Sequence, residues 1–265
     1  VEDIFRAVGK SMRREPFTSI APADGHASGG GTVEGKADRE SRPANVLYAP
    51  QRGSRSTDIS GVWWSGRPEM NPIQAAVKAA RFFEARRTPY FVIGGVAVQY
   101  WGEPRLTRDV DVTVLVNQED METFIDDVLS AFTPRVPQAR EFALQHRVLL
   151  VQTKQGVPVD ISLGIPGYEQ RAMERAVVME APGIGSVRIA AAEDLVIHKC
   201  VAGRPRDVED VEGILIRQRL TLDTRYIRGW LKEFARVVER HNPLNLFEQA
   251  MESARKALEE RGEKP

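Results

Sequence analysis

The chain has 265 residues, enough for one large domain or two modest ones with a real core. Lys and Arg number 37 and Asp and Glu number 37, so no overall field draws it to nucleic acid or an anionic membrane, and any such affinity needs a local patch. The single cysteine, Cys200, rules out an intrachain disulfide and fits a reducing compartment. No apolar run approaches the roughly 18 residues of a membrane span, and the N-terminus lacks signal-peptide order, so the expected location is the cytosol with no membrane partner.

Residues 1 to 69 differ in texture from the rest. Gly, Ser and Pro fill 22 of these 69 positions and Leu, Ile, Val and Phe only 11, too few to sustain a core. The segment is expected to be a low-complexity, disordered extension, although its ten basic and nine acidic residues leave it nearly neutral. Met70 stands directly before a helix start. The extension is therefore read either as non-native or upstream-translated sequence, or as an ordinary flexible tail.

Periodic structure begins at "MNPIQAAVKAARFFEARRTP". Asn71 suits a helix cap and Pro72 the first helical position, while Ile73, Val77, Ala80 and Phe83 recur at helical spacing until Pro89. "YFVIGG" reads as a strand running into glycines, "VAVQYW" as a short helix and "DVTVLV" as a strand. "QEDMETFIDDVLSAF" predicts a helix with Phe124, Val128 and Phe132 on one side, and "VLLVQTKQGVPVDISLG" predicts two strands around a Lys-Gln-Gly turn. From about residue 190 the pattern is helical, through "AAEDLVIHKCVAG", "PRDVEDVEGILIRQR", "RYIRGWLKEFARVVERH" and "LNLFEQAMESARKAL". The expected fold is α/β in residues 70 to 188, a mixed sheet with flanking helices, followed by a helical domain over 189 to 265.

Two acids interrupt the strand "DVTVLV". Alternation puts Asp109 and Asp111 on one face and Val110 on the other, so the carboxylates converge. Like charges this close raise each other's pKa unless a positive group intervenes; either they face water on an edge strand or they bind a cation. Carboxylate oxygens suit Mg²⁺, which takes one or two of them and completes its shell with water and substrate phosphates. Asp160, in "VPVDISLG", interrupts another apolar strand in the same way. Three such acids could cradle two metal ions about 4 Å apart, the arrangement used for in-line attack on phosphorus. Gly94 and Gly95 follow a strand and open a helix, where backbone N–H groups and the helix dipole can hold a phosphate.

The stretch "GGVAVQYWGEPRLTRDVDVTVLV" resembles the nucleotidyltransferase superfamily with the polymerase-beta-like fold, and within it the AbiEii-type branch of abortive-infection toxins. That branch carries Gly-Gly, then Arg-x-Thr-x-Asp-apolar-Asp, matched here by Arg105, Thr107, Asp109 and Asp111. "EDLVIHKCVAGRPRDVED" is similar to the branch's later motif, a helical lysine followed by Arg-x-x-Asp-x-x-Asp, matched by Lys199, Arg204, Asp207 and Asp210. The resemblance spans roughly residues 72 to 220. The last 45 residues match only as generic helix, and the first 69 not at all.

The resemblance implies a transfer of nucleoside monophosphate from a nucleoside triphosphate to an acceptor hydroxyl of RNA, transfer RNA or protein, in a toxin with an antitoxin partner. Asp109, Asp111 and Asp160 would be catalytic and would hold two Mg²⁺ ions; Gly94, Gly95, Arg105, Thr107, Arg108, Lys199, Asp207 and Asp210 would form the nucleotide site. Lys199 is the candidate to reach the triphosphate, the alternative being a surface lysine. Arg105 and Arg108 either clamp phosphates or acceptor, or are solvated loop arginines. Thr107 is a turn residue or a hydroxyl facing the phosphates. Asp207 and Asp210 share a helical face and either orient Lys199, act as a base, or complement the helix dipole. An RNA acceptor would need a local patch, for which Arg204, Arg206, Arg217 and Arg219 are candidates.

His146 and His198 read as structural. No His or Cys cluster has zinc spacing, no serine or cysteine has a visible base partner, and no P-loop is present. Two readings of other classes stand beside the enzyme: a nucleotide-binding or protein-interaction module of the same fold without turnover, and an RNA-binding protein.

Overall fold

Helix α1 (Pro72–Ala85) opens with the cap that the sequence predicts. In the computed structural model, which describes residues 70–263, the Gln74 N–H donates to Asn71 Oδ1 at 2.8 Å and the Asn71 N–H donates to Gln74 Oε1 at 2.9 Å. This reciprocal bond satisfies two of the donors left over at a helix start. The expectation of a disordered extension over 1 to 69 lies outside the described residues. Val77, Ala80 and Phe83 are buried and Ile73 is half-buried, so the apolar stripe is the one read from the spacing.

There follow β1 (Tyr90–Ile93), α2 (Gly94–Trp101), β2 (Val110–Val114), α3 (Met121–Ala131), β3 (Thr133–Pro134), α4 (Ala139–His146), β4 (Val148–Gln152), β5 (Pro158–Leu163), α5 (Tyr168–Arg175), β6 (Val177–Ala181) and β7 (Gly185–Ile189). The seven strands form one mixed sheet in the order β3-β4-β5-β2-β1-β7-β6. β1 is antiparallel to β2 and parallel to β7, and β2 is parallel to β5. All four residues of β1 are buried, which is why "YFVI" shows no polar alternation.

Four helices complete the chain: α6 (Ala192–Ala202), α7 (Pro205–Arg217), α8 (Thr224–Phe234) and α9 (Pro243–Glu260). α6 is buried nearly all round, with α7, α8 and α9 packed against it and α2 on the sheet side. A helix enclosed on all sides has no amphipathic stripe. Sheet and C-terminal helices share a single apolar cluster running from Phe83 and Phe91 through Leu195 and Ile197 to Phe247. Cys200 lies in it with no exposure, and burial pushes its thiol well above the ordinary value. α6 ends at Gly203, in the left-handed region at φ +62°, and the His241 ring covers that turn with Nε2 2.8 Å from the Cys200 carbonyl oxygen. No helix among the described residues is long and apolar enough to cross a membrane.

β3, α4, α5 and the β6–β7 hairpin were not anticipated by the sequence pattern. α4 follows Gln138, at φ +50°, and α5 follows Gly167, at φ +119°; neither has a side-chain cap. The usual Ser, Thr, Asp or Asn start signal is thus missing from both.

α5 carries a charge-bearing group deep in the fold. Glu169 has no exposure, and neither carboxyl oxygen has a hydrogen-bond partner among the described residues. Burial pushes this carboxyl from 4.5 up to about 7, with the local backbone and the charge of Arg147 opposing it. The folded state thus keeps a proton that the unfolded chain releases near 4.5, so stability is full below that pH and is lost as pH rises toward 7. At about 1.4 kcal/mol per pH unit the loss over this window is on the order of 3 kcal/mol. Glu169→Gln is expected to raise the melting temperature at pH 8 and leave it nearly unchanged at pH 4.5; equal shifts at both pH values would show that Glu169 is ionised in the fold.

Candidate active site

The site begins at two glycines against which the side chains of Asp111 and Thr107 pack directly. Gly94 opens α2 at φ +65°, and a Cβ there would lie 1.9 Å from Asp111 Oδ2. A Cβ on Gly95 would lie 2.2 Å from Thr107 Oγ1. The helix start therefore lets two polar side chains rest on bare backbone. Thr107 Oγ1 donates to Asp109 Oδ1 at 3.0 Å; the residue is buried, lines the cleft and holds the first acid.

Asp109 stands immediately before β2 and Asp111 within it. Burial, then the charge of Asp109, pushes the Asp111 carboxyl above its ordinary value, with Lys199 and Arg204 drawing it down at longer range. In the parallel β2–β5 ladder Asp111 is the register partner of Asp160, so both lie on one face of the sheet, on neighbouring strands. Burial lifts Asp160 to about 6; Arg135 opposes this, and Asp111 and Asp109 add to it.

Across the cleft lies a network of ion pairs. Lys199 is buried in α6, not on the surface, and its Nζ donates to Asp207 Oδ1 at 2.9 Å and lies 2.7 Å from Asp210 Oδ2. Arg105 meets Asp210 with both arms of its fork, Nε to Oδ1 at 2.6 Å and Nη2 to Oδ2 at 2.8 Å. Arg204 Nε and its own backbone N–H both donate to Asp207 Oδ2, at 2.7 and 3.2 Å. Burial alone would push both carboxyls up; Lys199 with Arg204 for Asp207, and Arg105 with Lys199 for Asp210, outweigh it and hold both below the ordinary value. Of the roles open to this acidic pair, the geometry supports orienting Lys199, while Asp207 also accepts from the backbone at the start of α7.

These parts enclose a cleft of about 260 Å³ lined by Gly94, Gly95, Arg105, Thr107, Asp109, Asp111, Lys199, Arg204 and Asp207. Ile93, Leu195, His198, Ala202 and Arg206 complete the lining. Ile93, Leu195 and Ala202 were not among the site residues expected from sequence. Their signal was present in part, because Leu195, His198, Lys199 and Ala202 sit at helical spacing on one face of α6. His198 is buried beside the rings of Phe91 and Tyr168, and burial pushes its imidazole down to about 3, so it is neutral.

Arg105 lines the cleft while committed to Asp210, holding the loop against α7. Two expectations place differently. Arg108 is exposed and does not line the cleft. The four arginines suggested as one basic patch do not act together, since Arg217 donates to the Gly102 carbonyl and Arg219 pairs with Glu263, while Arg204 and Arg206 face the cleft.

Asp109 and Asp111 fit a divalent cation. Both are hard oxygen donors, and Asp111 is enclosed beside a like charge, a strain that a cation relieves. Among the described residues no three acidic, His or Cys side chains are grouped closely enough to hold an ion by themselves. The pair therefore matches the Mg²⁺ habit of using two carboxylates and drawing its other ligands from substrate and water.

No family model matches the sequence, and no curated protein does. Solved structures similar to it include an antigenic nucleotidyltransferase-like protein from Paracoccidioides brasiliensis, at 15% identity and a TM-score of 0.46, covering 73% of this chain and 94% of that one. Another is the lincosamide antibiotic adenylyltransferase LnuA, lincomycin-bound, at 13% identity and 0.35, covering 52% of this chain and 92% of that one. A third is the antibiotic-resistance factor ANT(2'')-Ia, at 15% identity and 0.36, covering 73% and 98%. With every score below 0.5, the functional reading rests on the site itself.

Removing one member of the buried network leaves the others with uncompensated charge. Asp210→Asn is expected to lower the unfolding free energy by about 3 kcal/mol, and Arg108→Ala to change it by less than about 0.5 kcal/mol, both read by urea denaturation. Equal, small effects would show that the ion pairs add nothing to the fold.

Proposed function

We propose that the protein transfers a nucleoside monophosphate from a nucleoside triphosphate to an acceptor hydroxyl. The observation that carries this reading is the meeting, in one cleft, of the paired acids Asp109 and Asp111 with a glycine-opened helix start and a buried lysine. A triphosphate brings about four negative charges, and such a site has to balance them with cations and backbone donors.

The N–H groups at the start of α2 and the side chains of Lys199, Arg204 and Arg206 would face the phosphates. Asp207 and Asp210 would keep Lys199 from folding away. Asp109 and Asp111, with Asp160 toward a second ion, would hold Mg²⁺, which when bound supplies positive charge to the triphosphate and the reacting oxygens. The acceptor hydroxyl oxygen bonds to the α-phosphorus and its proton passes to the Asp160 carboxylate. The bond from the α-phosphorus to its bridging oxygen breaks, and pyrophosphate leaves with the electron pair.

An RNA, transfer RNA or protein acceptor, and a toxin paired with an antitoxin, extend this reading on the motif resemblance alone. The test is incubation of the protein with Mg²⁺ and each labelled triphosphate, in the presence of total RNA and lysate. Pyrophosphate release and a labelled product are expected, both reduced about a thousandfold or more in Asp109→Ala and Asp111→Ala. Tight triphosphate binding without release would identify a binding module instead, and RNA affinity that falls with salt but needs no Mg²⁺ would identify an RNA-binding protein.

A further inference from the structure

Asp160 belongs to the acid trio by register, yet its carboxylate answers to a different partner. Arg135, just after β3, places Nη2 2.9 Å from Asp160 Oδ1, without the alignment of a hydrogen bond. The Arg135 backbone N–H donates to the Leu150 carbonyl at 3.0 Å, so the residue is fixed to β4, the strand that pairs with β5. Neither Arg135 nor Asp160 lines the 260 Å³ cleft. In sheet order Asp111 stands between Asp160 and that cleft, which leaves the β5–β4–β3 side for a second substrate.

That side is open and nearly free of acid. The ladders put Thr133, Gln152, Leu150 and Pro158 on the face of Asp160, each half-buried or exposed, while Val148 and Ser162 at the other end of that face are buried. Among the positions of β3, β4 and β5 that share this face, Asp160 is the one carboxylate, and it is already paired. A guanidinium has five N–H donors in a planar fork. Among the described residues it makes one off-axis ion pair, with both side chains about a quarter exposed, at 27% and 28%. Pairs of this exposure exchange readily, whereas two-armed binding of a phosphate is strong. A cationic acceptor would meet Arg135 head-on.

Resting on the nucleotidyl-transfer reading, we infer that Arg135 is the acceptor-side arginine, taking a phosphate that flanks the attacking hydroxyl and releasing Asp160 as it does so. The phosphate could belong to a free sugar phosphate or to the end of an RNA strand, two sources of one chemistry.

The experiment uses the full chain with its nucleotide site filled by a non-hydrolysable triphosphate analogue. Binding of ribose 5-phosphate, ribose and a short RNA ending in a 3′-hydroxyl is measured by calorimetry for the unaltered protein, Arg135→Gln and Arg135→Lys. The phosphate-bearing probe that fits should bind at least about tenfold more tightly than ribose; Arg135→Gln should remove that preference and Arg135→Lys keep part of it, with affinity for the analogue unchanged. Ribose 5-phosphate binding as tightly as RNA identifies a small acceptor, and RNA alone identifies a strand end. A preference that survives in Arg135→Gln, or no preference in the unaltered protein, overturns the proposal. Binding needs no turnover, so an absence of transfer would defeat the enzyme reading while these affinities still decide the role of Arg135.

Discussion

A lysine ammonium withdrawn from water is tolerated when its charge is met, and Lys199 is met twice, by Asp207 and Asp210. Much of the site depends on that arrangement. The two acids lie one helical turn apart on α7, so they fix how α7 sits against α6. Asp210 also takes both arms of Arg105, which draws the loop before β2 to the same point. Two consecutive helices and a loop 105 residues before Asp210 are thus joined through one ammonium and two carboxylates. The network stabilises the fold only while every member is present, which makes it a device for position more than for stability.

The opposite wall is set by contact distance. Asp111 and Thr107 reach their places because Gly94 and Gly95 have no side chains, and Thr107 in turn holds Asp109. Each wall is rigid for its own reason, close packing on one side and charge pairing on the other. The carboxyls of Asp111 and Asp160 are raised by burial and by neighbouring acids, whereas those of Asp207 and Asp210 are lowered by their cations. Acids of the same type are thus divided by environment into a pair that is satisfied and a group that still gains from added positive charge.

The elements around the site were legible because each carried a local signal: the Asn71 cap, the glycines after "YFVI", the aspartates set into apolar strands, the helical spacing after residue 190. The paired roles were not legible. The ion pairs that hold Arg105 and Lys199 were hidden because sequence shows a cation but not what has already neutralised it, and their shared partner Asp210 lies 105 residues from Arg105. β6 and β7 were hidden differently. Val178 is exposed on an edge strand and breaks the alternation, and β7 joins the sheet through a parallel pairing with β1 almost a hundred residues away. α4 and α5 begin without caps and gave no start signal. Arg135 had no motif around it, and its meaning comes from a register set by three strands.

The lone thiol of Cys200, sealed between α6 and its neighbours, leaves the surface of the described residues without a reactive sulfur. A cysteine introduced at an exposed position, such as Leu106 in the loop beside the cleft, would therefore be the only accessible handle there for a maleimide dye or a spin label. Movements of that loop could then be followed optically without first stripping the protein of its native cysteine, whose replacement would disturb the helix that carries Lys199.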